Sequence, residues 1–144
     1  MVINSIQEAL EAVKKDGRNL ELIPEEFQTY QVCLEAVKEN GNALQYVINK
    51  YVIEDICLEA VKNKGLALGF VPEKLQTVEI CLAAVRQNGY ALNYVPVELQ
   101  TEDLCLEAVR ENGYALGWVK KLTPEIVKVA LTQEPNAIKF LKVC

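Results

Sequence analysis

Histidine is absent from the 144-residue chain, and tryptophan and methionine each occur once. The absence of histidine removes the commonest general base, the side chain that titrates near neutral pH and the most frequent metal ligand. No two cysteines are spaced as Cys-x-x-Cys, and no glycine-rich phosphate loop or nucleophile elbow is present. We therefore predict that the chain is not an enzyme and carries no catalytic residue, cofactor or metal.

Long apolar stretches are also missing, because Glu, Lys, Asn or Gln interrupts every candidate for a membrane span. The N-terminal residues lack the charged and apolar regions of a secretory signal. The formal net charge of −5 argues against nucleic acid as the main partner. We therefore expect a cytoplasmic protein, a monomer or weak dimer, that binds neither nucleic acid nor membrane.

Glycine and cysteine instead recur at a fixed interval of 24 residues. A period of this size indicates a repeat protein, in which each unit is too small to bury its own apolar side and stacks on its neighbours. We predict an all-α solenoid (superhelix) of six ~24-residue helix–turn–short-helix repeats, forming a single domain over residues 1–144. The periodic glycines are Gly17, Gly41, Gly65, Gly89 and Gly113, and the cysteine column is Cys33, Cys57, Cys81 and Cys105.

Helix boundaries are signalled in most repeats. Ser or Thr stands at the N-cap position of every first helix except the third, where Ile53 breaks the pattern. Each of the first five helices is followed by a glycine, which predicts a left-handed C-terminal cap. A second element of about two turns follows, too short to be stable without packing.

The segment from Ile80 to Thr101 reads [VI]-C-L-x-A-V-[KR]-x-N-G-x-A-L-x-[YFW]-V-P-x-x-L-Q-T, and Val32 to Val47 and Ile56 to Thr77 carry most of the same pattern. This pattern resembles a bacterial tandem-repeat family known as domain of unknown function DUF4116. The resemblance implies helical repeats with no established activity. The unit is also similar to the leucine-rich repeat variant, which alternates an α-helix with a 3₁₀-helix. The iron–sulfur cluster of that family is not implied, because no cysteine precedes Cys33.

The cysteine column could suggest metal or redox chemistry. Equivalent positions in stacked helices lie roughly 8–10 Å apart, whereas a disulfide needs Cα atoms within about 7 Å. We predict that the four cysteines are buried, reduced and metal-free, and act as small apolar residues. Cys144 is the one cysteine expected to be accessible.

Basic residues recur on the first helices at Lys14, Lys38, Lys62, Arg86 and Arg110. A glutamate stands three residues earlier in four of these five repeats, which favours a solvated face of mixed charge. Only Arg86 lacks this acidic neighbour, because Ala83 occupies the position. The face around Arg86 is therefore a second candidate for partner binding.

The second elements carry two columns four residues apart. The strict regularity of the aromatic column is typical of core positions, and the variability of the other column is typical of exposed ones. The spacing of four predicts that Tyr90 lies beside Tyr94, and Tyr114 beside Trp118. The aromatic column is Leu22, Tyr46, Phe70, Tyr94, Trp118 and Phe140; the variable column is Arg18, Asn42, Leu66, Tyr90, Tyr114 and Asn136.

These observations favour a non-enzymatic module that binds a protein or peptide partner. The candidate partner-binding residues are Leu66, Tyr90, Tyr94, Tyr114, Trp118 and Arg86. Two alternatives remain open. A self-assembling structural scaffold is suggested by the apolar C-terminal sequence KFLKVC, and the chain could also be a regulatory repeat part of a larger bacterial enzyme or effector.

Overall fold

The computed structural model describes residues 1–141, and within them every regular element is helical. Six α-helices alternate with six-residue 3₁₀-helices, and we number the repeats 1 to 6 by these pairs. The α-helices are α1 (Ile6–Lys15), α2 (Tyr30–Glu39), α3 (Glu54–Asn63), α4 (Val78–Gln87), α5 (Glu102–Glu111) and α6 (Pro124–Gln133). The 3₁₀-helices are Gly17–Leu22, Gly41–Tyr46, Gly65–Phe70, Gly89–Tyr94, Gly113–Trp118 and Pro135–Phe140.

Each of α2 to α5 packs between the α-helices of the neighbouring repeats, and each of α2 to α6 packs against the 3₁₀-helix of the preceding repeat. The buried face of α2 consists of Val32, Cys33, Ala36 and Val37, with Leu34 half-buried at its flank, as the wheel of apolar positions predicts. The buried residues join into one core that continues from repeat to repeat. The predicted all-α solenoid of six repeats is confirmed. No helix in the described part of the chain is long and apolar enough to cross a bilayer.

The predicted N-caps are also confirmed. The Thr29 hydroxyl accepts a hydrogen bond from the Val32 N–H, and Ser5, Thr77, Thr101 and Thr123 make the equivalent bond. Ile53 makes none. Where the chain enters α6, Pro124 takes the first helical position, where its missing N–H leaves no bond unmade.

The glycines do not form the left-handed caps that the sequence predicts. No described glycine has a positive φ, and each periodic glycine instead begins a 3₁₀-helix. A Cβ atom at Gly65 would lie closer than 3.0 Å to the carbonyl oxygen of Ala84 in the next repeat. The N–H of Gly41 donates to Asn63 Oδ1 at 2.7 Å, also in the next repeat. Close approach between repeats, rather than backbone handedness, therefore requires glycine here.

A third element lies in the linkers, which the sequence indicated only as a return to the next helix. Repeats 1 to 4 each have a three-residue 3₁₀-helix there: Glu25–Phe27, Asn49–Tyr51, Glu73–Leu75 and Val97–Leu99. The residue after this turn is glutamine in three of these repeats, at Gln28, Gln76 and Gln100, and valine in the other, at Val52.

Two of these glutamine side chains, Gln28 and Gln100, tie one repeat to the next. The Gln28 amide donates to the Ile23 carbonyl in its own repeat at 3.2 Å, and its Oε1 accepts from the Ile48 N–H in repeat 2 at 3.2 Å. Gln100 Oε1 accepts from the Lys120 N–H at 3.1 Å in the same way. The donor is always 20 residues further along the chain.

Proline interrupts this network at two positions. Twenty residues after Val52 stands Pro72, so an apolar side chain faces a residue without an N–H. Twenty residues after Gln76 stands Pro96, and the buried Oε1 of Gln76 has no hydrogen-bond partner among the described residues. Glutamine therefore meets a backbone N–H in repeats 1 and 4, valine meets a proline in repeat 2, and only in repeat 3 does a glutamine meet a proline.

Candidate functional site

The 3₁₀-helices of repeats 3 to 6 line one apolar groove of about 690 Å³. Five of the six residues that the sequence singled out for partner binding meet there: Leu66, Tyr90, Tyr94, Tyr114 and Trp118. Asn93, Lys139 and Phe140 complete the lining. We call these eight residues the aromatic groove.

Two edge-to-face ring pairs form the centre of the aromatic groove. Tyr90 and Trp118 have ring centroids 5.1 Å apart at an interplanar angle of 85°. Tyr114 and Phe140 repeat this arrangement at 6.3 Å and 86°. Edge-to-face packing brings the positive edge of one ring to the negative face of the other.

The pairs join different repeats, which corrects the pairing predicted from a spacing of four. The second element is a 3₁₀-helix with three residues per turn, so residues four apart are not on the same side of it. Tyr90 in repeat 4 instead meets Trp118 in repeat 5, and Tyr114 in repeat 5 meets Phe140 in repeat 6. The groove therefore exists only when repeats are stacked.

Two glycines make room for the rings of the following repeat. A Cβ atom at Gly69 would lie 3.1 Å from the Tyr94 ring, and one at Gly117 would lie 3.1 Å from the Phe140 ring. A side chain at either position would push the ring outward. These glycines, which lie outside the 24-residue column, hold the aromatic rings close to the backbone.

The aromatic column is not a core column. Phe70, Tyr94 and Phe140 are 42%, 43% and 38% exposed, and Leu22 is more exposed still. The variable column is likewise not uniformly exposed, since Tyr90 and Tyr114 are half-buried between repeats. The core positions of the 3₁₀-helices are instead the alanine and leucine two and three residues after the glycine, such as Ala91 and Leu92, both 0% exposed.

In the described part of the chain, one charged side chain lines the groove. The ammonium of Lys139 lies 5.0 Å from the Tyr114 ring centroid and 5.3 Å from that of Phe140. The Tyr114 hydroxyl donates to Glu134 Oε1 at 3.1 Å. Partial burial and then this hydrogen bond raise the pKa of Tyr114 above its ordinary value.

Lys139 and Phe140 were not among the residues selected from the sequence, although both occupy columns of the repeat. Repeat 6 is two residues shorter than the others. Only the structure shows that its 3₁₀-helix nevertheless stacks in register on repeat 5 and closes the groove.

Arg86 lies on α4, outside the aromatic groove, and it has an acidic partner. Its Nε donates to Glu107 Oε2 in the next repeat at 2.9 Å, and Glu107 also pairs with Arg110 at 3.2 Å. The hydrogen bond from Arg86 lowers the pKa of Glu107. The expectation that Arg86 is the cation without an acid is wrong, because the acid comes from the neighbouring repeat rather than from its own helix.

The cysteine column lies in the core, as predicted. Three of its members are 0% exposed and Cys105 is 2% exposed, and all four are free thiols. Burial raises the pKa of each thiol to about 11. Cys144 lies outside the described residues, as does the second half of the C-terminal sequence KFLKVC.

A family model, Domain of unknown function (DUF4116), matches residues 8–51 and 54–100. Each match spans about two of the repeats, and together they cover more than half of the chain. No curated protein and no solved structure matches the chain. The repeat pattern and the family model agree, and the chain belongs to the DUF4116 family.

Proposed function

We propose that the protein is a non-enzymatic binding module that holds an extended segment of a partner protein in the aromatic groove. The observation that carries this proposal is that aromatic and apolar side chains from repeats 3 to 6 converge on one concave surface. Aromatic rings give a large contact area at low cost in side-chain entropy and are enriched among residues that dominate binding.

The rest of the surface supports the same assignment. The rings of the groove are already paired and packed against Gly69 and Gly117, so a ligand would meet a largely formed site. On the α-helix side, Glu107 pairs with Arg86 and Arg110, and Lys62 pairs with Glu59. The proposed partner is a protein or peptide, and the cytoplasmic setting and weak tendency to dimerise remain predictions.

The test selects peptides that bind this groove. A random peptide library is selected on the full chain and counter-selected on the Tyr90→Ala/Tyr114→Ala double variant. Selected peptides are then titrated against Trp118 emission, since this is the single tryptophan of the chain. We expect the double variant to bind at least about 30-fold more weakly, the equivalent of a 2 kcal/mol hot spot.

The matched control is Arg18→Ala/Asn42→Ala, which changes the same column in repeats 1 and 2. This control should bind selected peptides like the unaltered chain. Circular dichroism must show that both double variants keep their helical content. The proposal fails if no groove-dependent peptide emerges, or if the tyrosine variant binds as tightly as the control.

A further inference from the structure

The two ring pairs of the aromatic groove occupy equivalent positions in successive repeats, and their surroundings differ at two positions. Tyr90 corresponds to Tyr114, and Trp118 corresponds to Phe140 once the two-residue shortening of repeat 6 is counted. The interplanar angles of the pairs agree within a degree. The position occupied by Lys139 beside the second pair is occupied by Gly117 beside the first.

At the second pair the protein supplies its own cation. The Lys139 ammonium stands over both rings, within the distance of about 6 Å at which the negative face of an aromatic ring attracts a cation. This contact shows what the rings of the groove accept: a primary ammonium group on an aliphatic stem.

At the first pair the equivalent position offers no side chain, because Gly117 ends at its Cα. Among residues 1–141, Lys139 is the one charged residue that lines the groove, and it is committed to the second pair. Tryptophan has the most electron-rich face of the aromatic residues, so the first pair is the stronger site for a cation. The chain as a whole carries a net charge of −5, which favours a cationic ligand.

We propose that the Tyr90–Trp118 pair binds a lysine side chain of the partner segment, in the way that the Tyr114–Phe140 pair binds Lys139. This inference rests on the proposed function and specifies the chemistry of the partner. The partner lysine lays its stem along the apolar floor of the groove and its ammonium against the two rings.

The probe is acetyl-Gly-Lys-Gly-amide, titrated into the full chain while side-chain resonances are followed by NMR. Trp118 gives the single indole N–H signal of the protein. We expect the lysine peptide to shift the Trp118 and Tyr90 signals. The norleucine peptide, which has the same stem without the ammonium, should bind at least about fivefold more weakly.

A matched variant tests the comparison between the two pairs. In the unaltered chain the lysine peptide should leave the Tyr114 and Phe140 signals in place, since Lys139 occupies that pair. In Lys139→Met, which keeps an unbranched stem, the same peptide should shift these signals as well. The Trp118 shift should persist in this variant and be lost in Tyr90→Leu.

Three results would overturn the inference: equal binding of the lysine and norleucine peptides, equal shifts of both pairs in the unaltered chain, or no gain at Tyr114 in Lys139→Met. The proposed function can survive any of them. If library peptides bind in a manner that depends on Tyr90 but carry no lysine, the groove binds an apolar segment and only the cation inference fails.

Discussion

Replacing Pro96 by isoleucine should stabilise the protein, although proline is normally the more stabilising residue in a loop. The buried Oε1 of Gln76 has no hydrogen-bond partner among the described residues, and position 96, which corresponds to the donors Ile48 and Lys120, is a proline without an N–H. The Gln76 amide is otherwise placed like that of Gln28, since its Nε2 donates to the Val71 carbonyl at 3.2 Å. Isoleucine at 96 restores the donor that Ile48 supplies to Gln28.

The backbone permits this substitution. Pro96 has φ −56° and ψ 145°, and Ile48 has φ −64° and ψ 146°, so isoleucine adopts the required conformation elsewhere in the same chain. Loss of proline costs about 0.4–1 kcal/mol through the unfolded state. A hydrogen bond to the buried Gln76 oxygen stabilises the folded state by about 1–3 kcal/mol. The expected net effect is a stabilisation of about 1 kcal/mol.

Pro72→Ile is the matched control and should have the opposite sign. The residue that faces it is Val52, which has no acceptor, so the new N–H finds no side-chain partner. The substitution removes the stabilising effect of proline on the unfolded-state entropy and adds an N–H without a partner, so we expect a destabilisation of about 2 kcal/mol. Adding Val52→Gln to this variant should recover most of the loss.

Thermal and urea unfolding of the unaltered chain and the three variants measure these effects. For domains near this size, 1 kcal/mol corresponds to about 2–4 °C in melting temperature. Pro96→Ile should therefore melt above the unaltered chain, and Pro72→Ile below it. If both substitutions lower stability by the same amount, the Gln76 oxygen is not seeking a backbone donor and the interpretation of the glutamine network is wrong.

Three further predictions concern the core and the stacking of repeats. Thiol reagents should react slowly with the cysteine column until the protein unfolds. The free energy of unfolding should fall between pH 9 and about 11, because the thiols have a raised pKa in the native state and ionise more readily once unfolded. A urea midpoint that does not change over this pH range would contradict this prediction. Gly65→Ala should cost more than 2 kcal/mol because its Cβ would meet backbone, whereas Gly69→Ala meets only the Tyr94 ring and should cost less than half as much in urea unfolding. Ala91→Leu should lower the melting temperature far more than Asn93→Leu, since Ala91 is 0% exposed and overpacking costs about 1–3 kcal/mol. Similar losses of melting temperature in the two variants would show that the buried faces are misassigned.

The sequence by itself determined the architecture, because the physical signals involved are local or strictly periodic. A 24-residue interval places equivalent residues on equivalent faces, so the buried face of α2 and the depth of the cysteine column could be read without knowing how the repeats stack. The threonine caps and Pro124 act within a single turn of helix. The convergence of Tyr90, Tyr114 and Trp118 followed from the same regularity.

The contacts between repeats were decided only by the tertiary structure. The sequence predicted left-handed caps at the periodic glycines. The actual reason for glycine at position 65 is the nearby carbonyl of Ala84, which belongs to the next repeat and therefore could not be inferred from the local sequence. Arg86 looked unpartnered because Glu107 reaches it from the next helix. A one-dimensional pattern specifies which face a residue occupies, but not which residue of the neighbouring repeat it meets; that depends on the offset at which the 3₁₀-helices stack. The same offset puts Tyr90 on Trp118 and Lys139 over Tyr114, and so creates the groove.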